Sequence, residues 1–200
     1  MHIAILTFDG FNELDSMIAL GILNRINQPG WRVSLASPNE TVISMNNLQV
    51  HRQASLEAIE TYDAVLFGSG IKTREIGDDA DLMRSLQRLD PSRQLIGAQC
   101  SGTLLLAKLG LLNGLLGCTD TTTKPWVQEA GIEVLEQPFF ARENIATAGG
   151  CLASIYLAAW TLAHLAGRDA AADALHYVAP VGEKYDFVAR AMANIEAYLH

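Results

Sequence analysis

Basic residues are scarce in this 200-residue sequence, and no stretch of the chain concentrates them. There are 14 lysines and arginines against 22 aspartates and glutamates, which gives a formal net charge of −8 and a pI near 5.0. Nucleic acids and anionic membranes are bound by positively charged surfaces. We therefore expect no nucleic-acid partner.

The sequence also has no long apolar run. The longest apolar stretch, at 151–166, contains Ser154, Thr161 and His164, so it is too short and too polar to span a bilayer. The apolar start of the chain lacks the basic leading region of a signal peptide. We expect a core helix at 151–166, no membrane partner and a cytoplasmic location.

Cysteines are few, and their number is odd. Cys100, Cys118 and Cys151 disfavour a disulfide framework and fit a reducing compartment. Their spacing contains none of the close pairs of a zinc site, so we expect no metal. Cys151 follows Gly149-Gly150 at the start of a predicted helix, a position that would allow it to lie near a reactive site, but the apolar residues after it favour a small core residue.

Linkers, repeats and low-complexity tracts are absent as well. Half of the residues are hydrophobic and only 18% are charged, which is typical of a packed globule. We therefore expect one domain over residues 1–200. The pattern predicts strands and helices in the following chain order: strand 2–8, helix 12–27, strand 31–36, a hairpin about Asn46-Asn47, strand 63–67, helix 79–89, strand 94–99, helix 101–112, a short helix 125–130, strands 132–135 and 144–148, and three helices after Gly149.

Strands that alternate with helices predict an α/β fold, with a mostly parallel sheet and helices on both faces. In such sheets, reactive groups gather beyond the carboxyl ends of the strands. Three positions fall there: the residues after Phe8, the turn Gly68-Ser69-Gly70, and Cys100.

The segment Ala98-Gln99-Cys100-Ser101-Gly102 has the pattern of a nucleophile elbow. Small residues stand two positions on either side of the cysteine, as a tight strand-to-helix turn requires. The N-terminus of the following helix is expected to stabilise a thiolate and to lower the pKa of the thiol. This position favours a reactive Cys100 over a buried structural cysteine.

Two further features are candidate helpers of Cys100. Gly68-Ser69-Gly70 is a candidate oxyanion-binding turn, because a glycine backbone can approach a reacting group closely. Asp15, beyond the end of the first strand, is the favoured acid or base, with Glu13 as its rival. The helix dipole alone would also explain an acid at either position.

Histidine is missing where a cysteine hydrolase would use it. None of the five histidines has a spacing that places it beside Cys100, and His164, His176 and His200 fall in C-terminal helices. A Cys/His dyad is therefore unsupported.

These residues resemble the ThiJ/PfpI superfamily, which has a class I glutamine amidotransferase-like fold. The resemblance covers nearly the whole chain and is carried by the following segments: Glu13-Leu14-Asp15, the glycine turn, the Cys100 elbow, Leu104 to Gly114, Thr122 to Trp126, and Ala148-Gly149-Gly150. It implies a flavodoxin-like three-layer sandwich and a homodimer without a cofactor. The Leu-Asp pair and the residues after the elbow look most like the isonitrile hydratase branch.

The resemblance also implies roles for particular residues. Cys100 would be the nucleophile, Asp15 the acidic partner, and Gly70 and Cys100 the backbone N–H donors. Ser101 stands where isonitrile hydratases have threonine and peptidase-like members have histidine. Lys124 replaces another histidine that is common in the superfamily. These departures disfavour glyoxalase, deglycase and peptidase activities.

Two functions follow from these observations. The first is a hydratase or hydrolase-like enzyme for a small electrophilic substrate, such as an isonitrile, which Cys100 attacks while Asp15 acts as acid and base. The second is a non-catalytic redox or metabolite sensor that uses the reactive Cys100.

Overall fold

A computed structural model describes residues 1–199, so the prediction that His200 lies on a helix falls outside the described residues. Within them the strands are β1 (His2–Leu6), β2 (Arg32–Ser37), β3 (Thr41–Ile43), β4 (Gln49–His51), β5 (Ala54–Ser55), β6 (Ala64–Phe67), β7 (Leu95–Gln99), β8 (Leu116–Gly117), β9 (Glu133–Val134), β10 (Phe139–Arg142) and β11 (Ile145–Ala148). The α-helices are α1 (Glu13–Leu23), α2 (Thr73–Asp78), α3 (Ala80–Leu86), α4 (Thr103–Lys108), α5 (Lys124–Glu129), α6 (Ser154–Ala166), α7 (Arg168–Val178) and α8 (Lys184–Ile195). Short 3-10 helices cover Leu56–Thr61, Cys100–Gly102, Cys151–Ala153 and Glu196–Tyr198.

Seven strands form the central sheet, in the order β10-β11-β7-β6-β1-β2-β5. All neighbours are parallel except β10 and β11, which are antiparallel. The strand order changes direction between β1 and β6, and ligands of doubly wound folds bind at such a point. The carboxyl ends of β1, β6 and β7 therefore meet beside it.

Alternating side chains of the strands feed two apolar layers, because successive residues point to opposite faces of a sheet. Ile3 and Ile5 pack with α1, α6, α7 and α8 on one face. Ala4 and Leu6 pack with α3, α4 and the helix Leu56–Thr61 on the other. The structure thus confirms the flavodoxin-like α/β sandwich with helices on both faces.

The predicted hairpin about Asn46-Asn47 is also confirmed. Strands β3 and β4 pair antiparallel, and Asn47 has a φ of 66°. Asparagine tolerates this left-handed conformation better than most residues. The hairpin lies beside the first strand end, since Met45 N donates to Phe11 O at 2.8 Å.

Other elements differ from their predicted bounds. The helix expected at 101–112 begins as a 3-10 turn and ends at Lys108, shortly before Gly110, which has a φ of 75°. Helix α1 ends at Leu23, and the side-chain amide of Asn24 donates to Leu20 O at 2.9 Å. Helix α2 and strand β10 have no counterpart in the sequence prediction.

The three helices expected after Gly149 are present as α6, α7 and α8. Among residues 1–199, none of the helices has the length and apolar content needed to cross a membrane.

Candidate active site

Cys100 lies on a tight turn between β7 and α4. Its φ is 51°, in the left-handed region that a non-glycine residue adopts only when its surroundings impose it. Gly102 makes the turn possible, because a Cβ there would lie 2.8 Å from Gly68 O and 2.9 Å from Phe67 O. The chain can therefore pass this close to the end of β6 only with glycine at 102.

Asp120 is the carboxylate in direct contact with the thiol. Cys100 Sγ donates to Asp120 Oδ2 at 3.3 Å, and Asp120 Oδ1 accepts from the backbone N–H groups of Thr122 at 2.9 Å and Thr123 at 3.0 Å. Burial opposes ionisation of Asp120, but the hydrogen bonds from Thr123, Cys100 and Thr122 outweigh it and hold the pKa of Asp120 below its ordinary value. Asp120 is therefore ionised at neutral pH.

Asp15 is the second carboxyl group at the thiol. It is fully buried in the first turn of α1, and its carboxyl oxygen lies within 4.8 Å of Cys100 Sγ. Ser16 Oγ donates to Asp15 Oδ1 at 3.2 Å and Ser69 Oγ donates to Oδ2. Burial outweighs these hydrogen bonds and raises the pKa of Asp15 to about 6.

The structure separates Asp15 from its rival Glu13. The pKa of Glu13 is lowered, first by its own backbone N–H and further by hydrogen bonds from Asn46 and Ser44 of the hairpin. Glu13 thus faces the hairpin, whereas Asp15 is the helix α1 acid next to Cys100.

The expected lowering of the thiol pKa is wrong. Burial raises the pKa of Cys100 above its ordinary value, and the Asp120 carboxylate and the Cys151 sulfur raise it further. Helix α4 has only six residues, so its dipole lowers the pKa of the thiol too weakly to offset these effects. The resting side chain is a protonated thiol that donates to Asp120, and a base must take its proton during attack.

Ser101 and Gly70 are joined by a hydrogen bond. Gly70 N donates to Ser101 Oγ at 3.0 Å, and the Thr73 hydroxyl lies 2.8 Å from the same oxygen. A Cβ at Gly70 would lie 2.6 Å from Gly10 O, so glycine permits the close approach of this turn to the loop after β1. In the resting site the Gly70 N–H is engaged by Ser101, and binding an oxyanion there requires the Ser101 hydroxyl to share or release it.

A cavity of about 340 Å³ opens over the thiol. This volume suits a small ligand. Its walls combine polar groups with the apolar side chains of Met45, Ile71 and Trp126, and its lining residues are Asn12, Met45, Ser69, Gly70, Ile71, Cys100, Ser101, Asp120, Thr122, Thr123 and Trp126. No histidine is among these lining residues. Lys124 is not among them either, and it pairs with Glu136 at 2.9 Å.

Cys151 is part of this site, and the expectation of a core residue is wrong. The residue is only partly buried, and Asn12 Nδ2 donates to its sulfur at 3.0 Å. The ligand atoms of Asp15, Cys100 and Cys151 all lie within 4.8 Å of one another. Within residues 1–199, these three groups are the ones that lie close enough together to share a metal ion.

Sequence reasoning therefore missed Asp120, and it favoured a core position over a site position for Cys151. The local sequence at Asp120 is an acid followed by Thr122-Thr123, a pattern that is typical of a helix cap. This pattern does not predict a contact with a thiol. For Cys151 the signal is Gly149-Gly150 at a strand end. A Cβ at Gly149 would lie 2.8 Å from Thr119 O, so the glycine lets the two loops pack closely.

The fold and this arrangement define a class: α/β proteins that carry a cysteine on a strand-to-helix elbow next to an acid from the first helix. A sequence model of the DJ-1/PfpI family matches residues 1–164. The chain belongs to the DJ-1/PfpI family. No curated protein gives a significant match.

Solved structures of the family share the fold. DJ-1 of Schizosaccharomyces pombe superposes with a TM-score of 0.77 at 17% identity, over 90% of this chain and 100% of its own. DJ-1beta of Drosophila melanogaster gives a TM-score of 0.77 at 21% identity, over 88% and 96%. A ThiJ/PfpI family protein of Pseudomonas syringae gives 0.79 at 18% identity, over 96% and 89%. At these identities the likeness extends to the fold and not to the substrate.

Proposed function

We propose that this protein is a cysteine-dependent hydratase that adds water to a small electrophilic carbon compound, with isonitriles as the substrate class. The observation that carries the proposal is the contact between the Cys100 thiol and Asp120 at 3.3 Å, with the raised-pKa Asp15 within 4.8 Å of the same sulfur. Two carboxyl groups whose surroundings push their pKa values apart can act as base and acid in one reaction.

In the first step, the ionised Asp120 takes the thiol proton and the Cys100 sulfur forms a bond to the terminal carbon of the isonitrile. The protonated Asp15 delivers its proton to that carbon. The product is a thioimidate on Cys100, with Asp15 ionised and Asp120 protonated.

In the second step, water adds to the thioimidate carbon. Asp15 relays one proton of the water to the nitrogen and then accepts the remaining hydroxyl proton as the C–S bond breaks. Asp120 returns its proton to the departing sulfur. One isonitrile and one water give one N-substituted formamide, and all three side chains regain their starting protonation states.

The residues around the thiol support this chemistry over the other activities considered for the superfamily. Ser101 keeps a hydroxyl after the elbow, and Lys124 faces Glu136 instead of the cavity. Because no histidine of residues 1–199 lines the cavity, the described part of the chain supplies no base for the histidine-dependent peptidase and glyoxalase or deglycase mechanisms. The hydratase mechanism needs only the two carboxyl groups.

The test is turnover of a panel of small isonitriles, methylglyoxal, amides and peptides, followed by mass spectrometry of the products. We expect N-substituted formamide from the isonitriles with the unaltered protein. Cys100→Ala is expected to lower the rate by at least ~10³-fold, because it removes the nucleophile. Cys118→Ala is the matched control, since this thiol is fully buried and does not line the cavity.

Formamide production that survives Cys100→Ala contradicts the mechanism. Absence of turnover across the whole isonitrile series contradicts the hydratase and leaves the sensor as the function of the site. The homodimer, the cytoplasmic location and the single domain over residues 1–200 remain proposals, which size-exclusion chromatography, cell fractionation and limited proteolysis test in turn.

A further inference from the structure

Cys100 and Cys151 occupy equivalent places on two neighbouring strands of the sheet. Strand β11 pairs with β7 in parallel, with Ala148 opposite Gln99. Cys100 begins the 3-10 turn that follows β7, and Cys151 begins the 3-10 turn that follows β11. Gly150, directly before Cys151, has a φ of 89°, so the backbone turns there between β11 and the 3-10 turn that Cys151 begins. The two thiols therefore lie together beyond the carboxyl ends of β7 and β11, although they are far apart in the sequence.

The distance between the two sulfurs is short. Cys100 Sγ and Cys151 Sγ lie within 4.8 Å of each other. A disulfide needs the sulfurs about 2 Å apart. Formation of the disulfide therefore requires a rotation about χ1 at one of the two side chains.

Asn12 is oriented to donate to Cys151. Its Oδ1 accepts from Leu14 N at 3.0 Å as the N-cap of α1. This bond fixes which end of the amide is which, so that Nδ2 faces Cys151 Sγ at 3.0 Å. The amide N–H thus holds the Cys151 sulfur in place beside Cys100 Sγ.

The two thiols differ in access and surroundings. Cys151 is partly exposed, whereas Cys100 is 8% exposed and donates to Asp120. Cys151 is therefore the more exposed residue of the pair, and Cys100 is next to a base that can take its proton.

We propose that Cys151 is a redox partner of Cys100, and that hydrogen peroxide converts the two thiols into a reversible disulfide that switches the site off. The proposal rests on the reactive Cys100 of the proposed function, but not on the identity of its substrate. It assigns a role to a cysteine that the hydratase mechanism does not use.

The oxidation balances in two steps. Peroxide oxidises the Cys151 thiol to a sulfenic acid and is itself reduced to water. The Cys100 sulfur then attacks the sulfenic sulfur, Asp120 takes the Cys100 proton, and the hydroxyl leaves with this proton as a second water. Two thiols and one hydrogen peroxide thus give one disulfide and two waters. A thiol reductant reverses the reaction.

The test treats the reduced full chain with hydrogen peroxide, with a chelator present so that no metal ion masks the sulfurs. Intact-mass and peptide mass spectrometry then follow the products. We expect a loss of two hydrogen atoms, a linked peptide pair containing Cys100 and Cys151, and full return of the original mass with dithiothreitol. Cys118 serves as the internal control, because burial raises the pKa of its thiol to about 12 and it is fully buried.

Two variants sharpen the test. Cys151→Ser removes the partner, so we expect no linked peptide and a gain of oxygen atoms at Cys100 that dithiothreitol does not fully reverse. Asn12→Asp keeps an acceptor for Leu14 N but removes the N–H donor to Cys151. We expect it to form the disulfide more slowly than the unaltered protein.

The proposal is wrong if peroxide leaves Cys151 reduced while Cys100 of the unaltered protein gains oxygen atoms. It is also wrong if neither residue changes while a small-molecule thiol in the same tube is oxidised. Neither result bears on the hydratase. Conversely, a linked pair in a protein without isonitrile turnover supports the disulfide and contradicts the proposed function, so the two failures are distinguishable.

Discussion

Asp15 and Asp120 both lie next to the Cys100 sulfur, but their surroundings are opposite in kind. Asp15 is fully buried in helix α1 and accepts from two serine hydroxyls, and its pKa rises to about 6. Asp120 lies on a loop, accepts from two backbone N–H groups and the thiol, and its pKa falls below the ordinary value.

The comparison shows how one residue type can supply both an acid and a base at neutral pH. Deep burial disfavours the Asp15 carboxylate in spite of its hydrogen bonds, whereas the N–H and S–H donors at Asp120 outweigh its burial. The two carboxyl groups can therefore carry out proton transfer in both directions without any histidine from residues 1–199.

The largest effect is expected for Asp120→Asn. The amide keeps the shape of the side chain but takes no proton from the Cys100 thiol, so isonitrile turnover should fall by about 10²–10⁴-fold. Steady-state kinetics measure this loss. Asp81→Asn makes the same chemical change at a side chain that is 90% exposed and should leave kcat/KM unaltered. Equal activity of Asp120→Asn and the unaltered protein would show that Asp120 is not the base.

Asp15→Asn is expected to stabilise the fold at alkaline pH. A pKa raised from 3.8 to about 6 means that the folded protein binds this proton more tightly than the unfolded chain does. The stability supplied by the raised pKa is complete below pH 3.8 and is lost as pH rises through about 6. Asparagine has no such loss, so the variant should gain up to ~3 kcal/mol over the unaltered protein at about pH 8.

Urea unfolding at about pH 4 and about pH 8 measures this difference. The gain should nearly vanish at the lower pH. A constant difference at both pH values would show that the buried Asp15 carboxyl is not the source of the effect.

The pH dependence of turnover reports the protonation of the same group, Asp15. The first step needs a protonated Asp15, and the protonated fraction falls as pH passes its pKa of about 6. The rate constant kcat/KM should therefore decline about tenfold per pH unit above that value. A flat profile between about pH 6 and pH 8 would assign the carbon protonation to another group.

The smallest effect is expected for Ser69→Ala. The Ser69 hydroxyl donates to Asp15 Oδ2 and favours its ionised form, so its removal should raise the pKa of Asp15 above about 6. The decline of the pH profile should move to higher pH in this variant. Ser92→Ala is a suitable control, because the Ser92 hydroxyl is exposed and donates to Asp90. A shift to lower pH would contradict the assigned role of Ser69.

Much of the fold was predictable because its strands are short, buried and separated by helices. The elbow at Cys100 was recognisable from a buried strand that ends in small residues, and the hairpin from its adjacent asparagines. Strand β10 was missed because its partner β11 runs antiparallel beside it, a pairing that the βαβ pattern does not predict. The position of Asp15 after the first strand is enough to predict that its side chain lies near Cys100.

The rest of the site depends on distances that local patterns do not contain. Asp120 follows Cys100 by twenty positions in the sequence, and its contact with the thiol depends on the path of the loop after β8. The raised pKa of the thiol depends on burial and on that same loop. A sequence motif identifies the residue that reacts, whereas its protonation state is set by residues brought in from elsewhere in the chain.

The left-handed backbone of Cys100, with a φ of 51°, has a consequence for laboratory evolution. A side chain in this conformation costs roughly 1–2 kcal/mol, which glycine avoids and asparagine partly avoids. Selection for heat resistance alone therefore favours glycine or asparagine at position 100, and selection for turnover rejects both. Libraries selected for heat resistance alone would lose the Cys100 sulfur that turnover requires. The two selections must therefore be applied together.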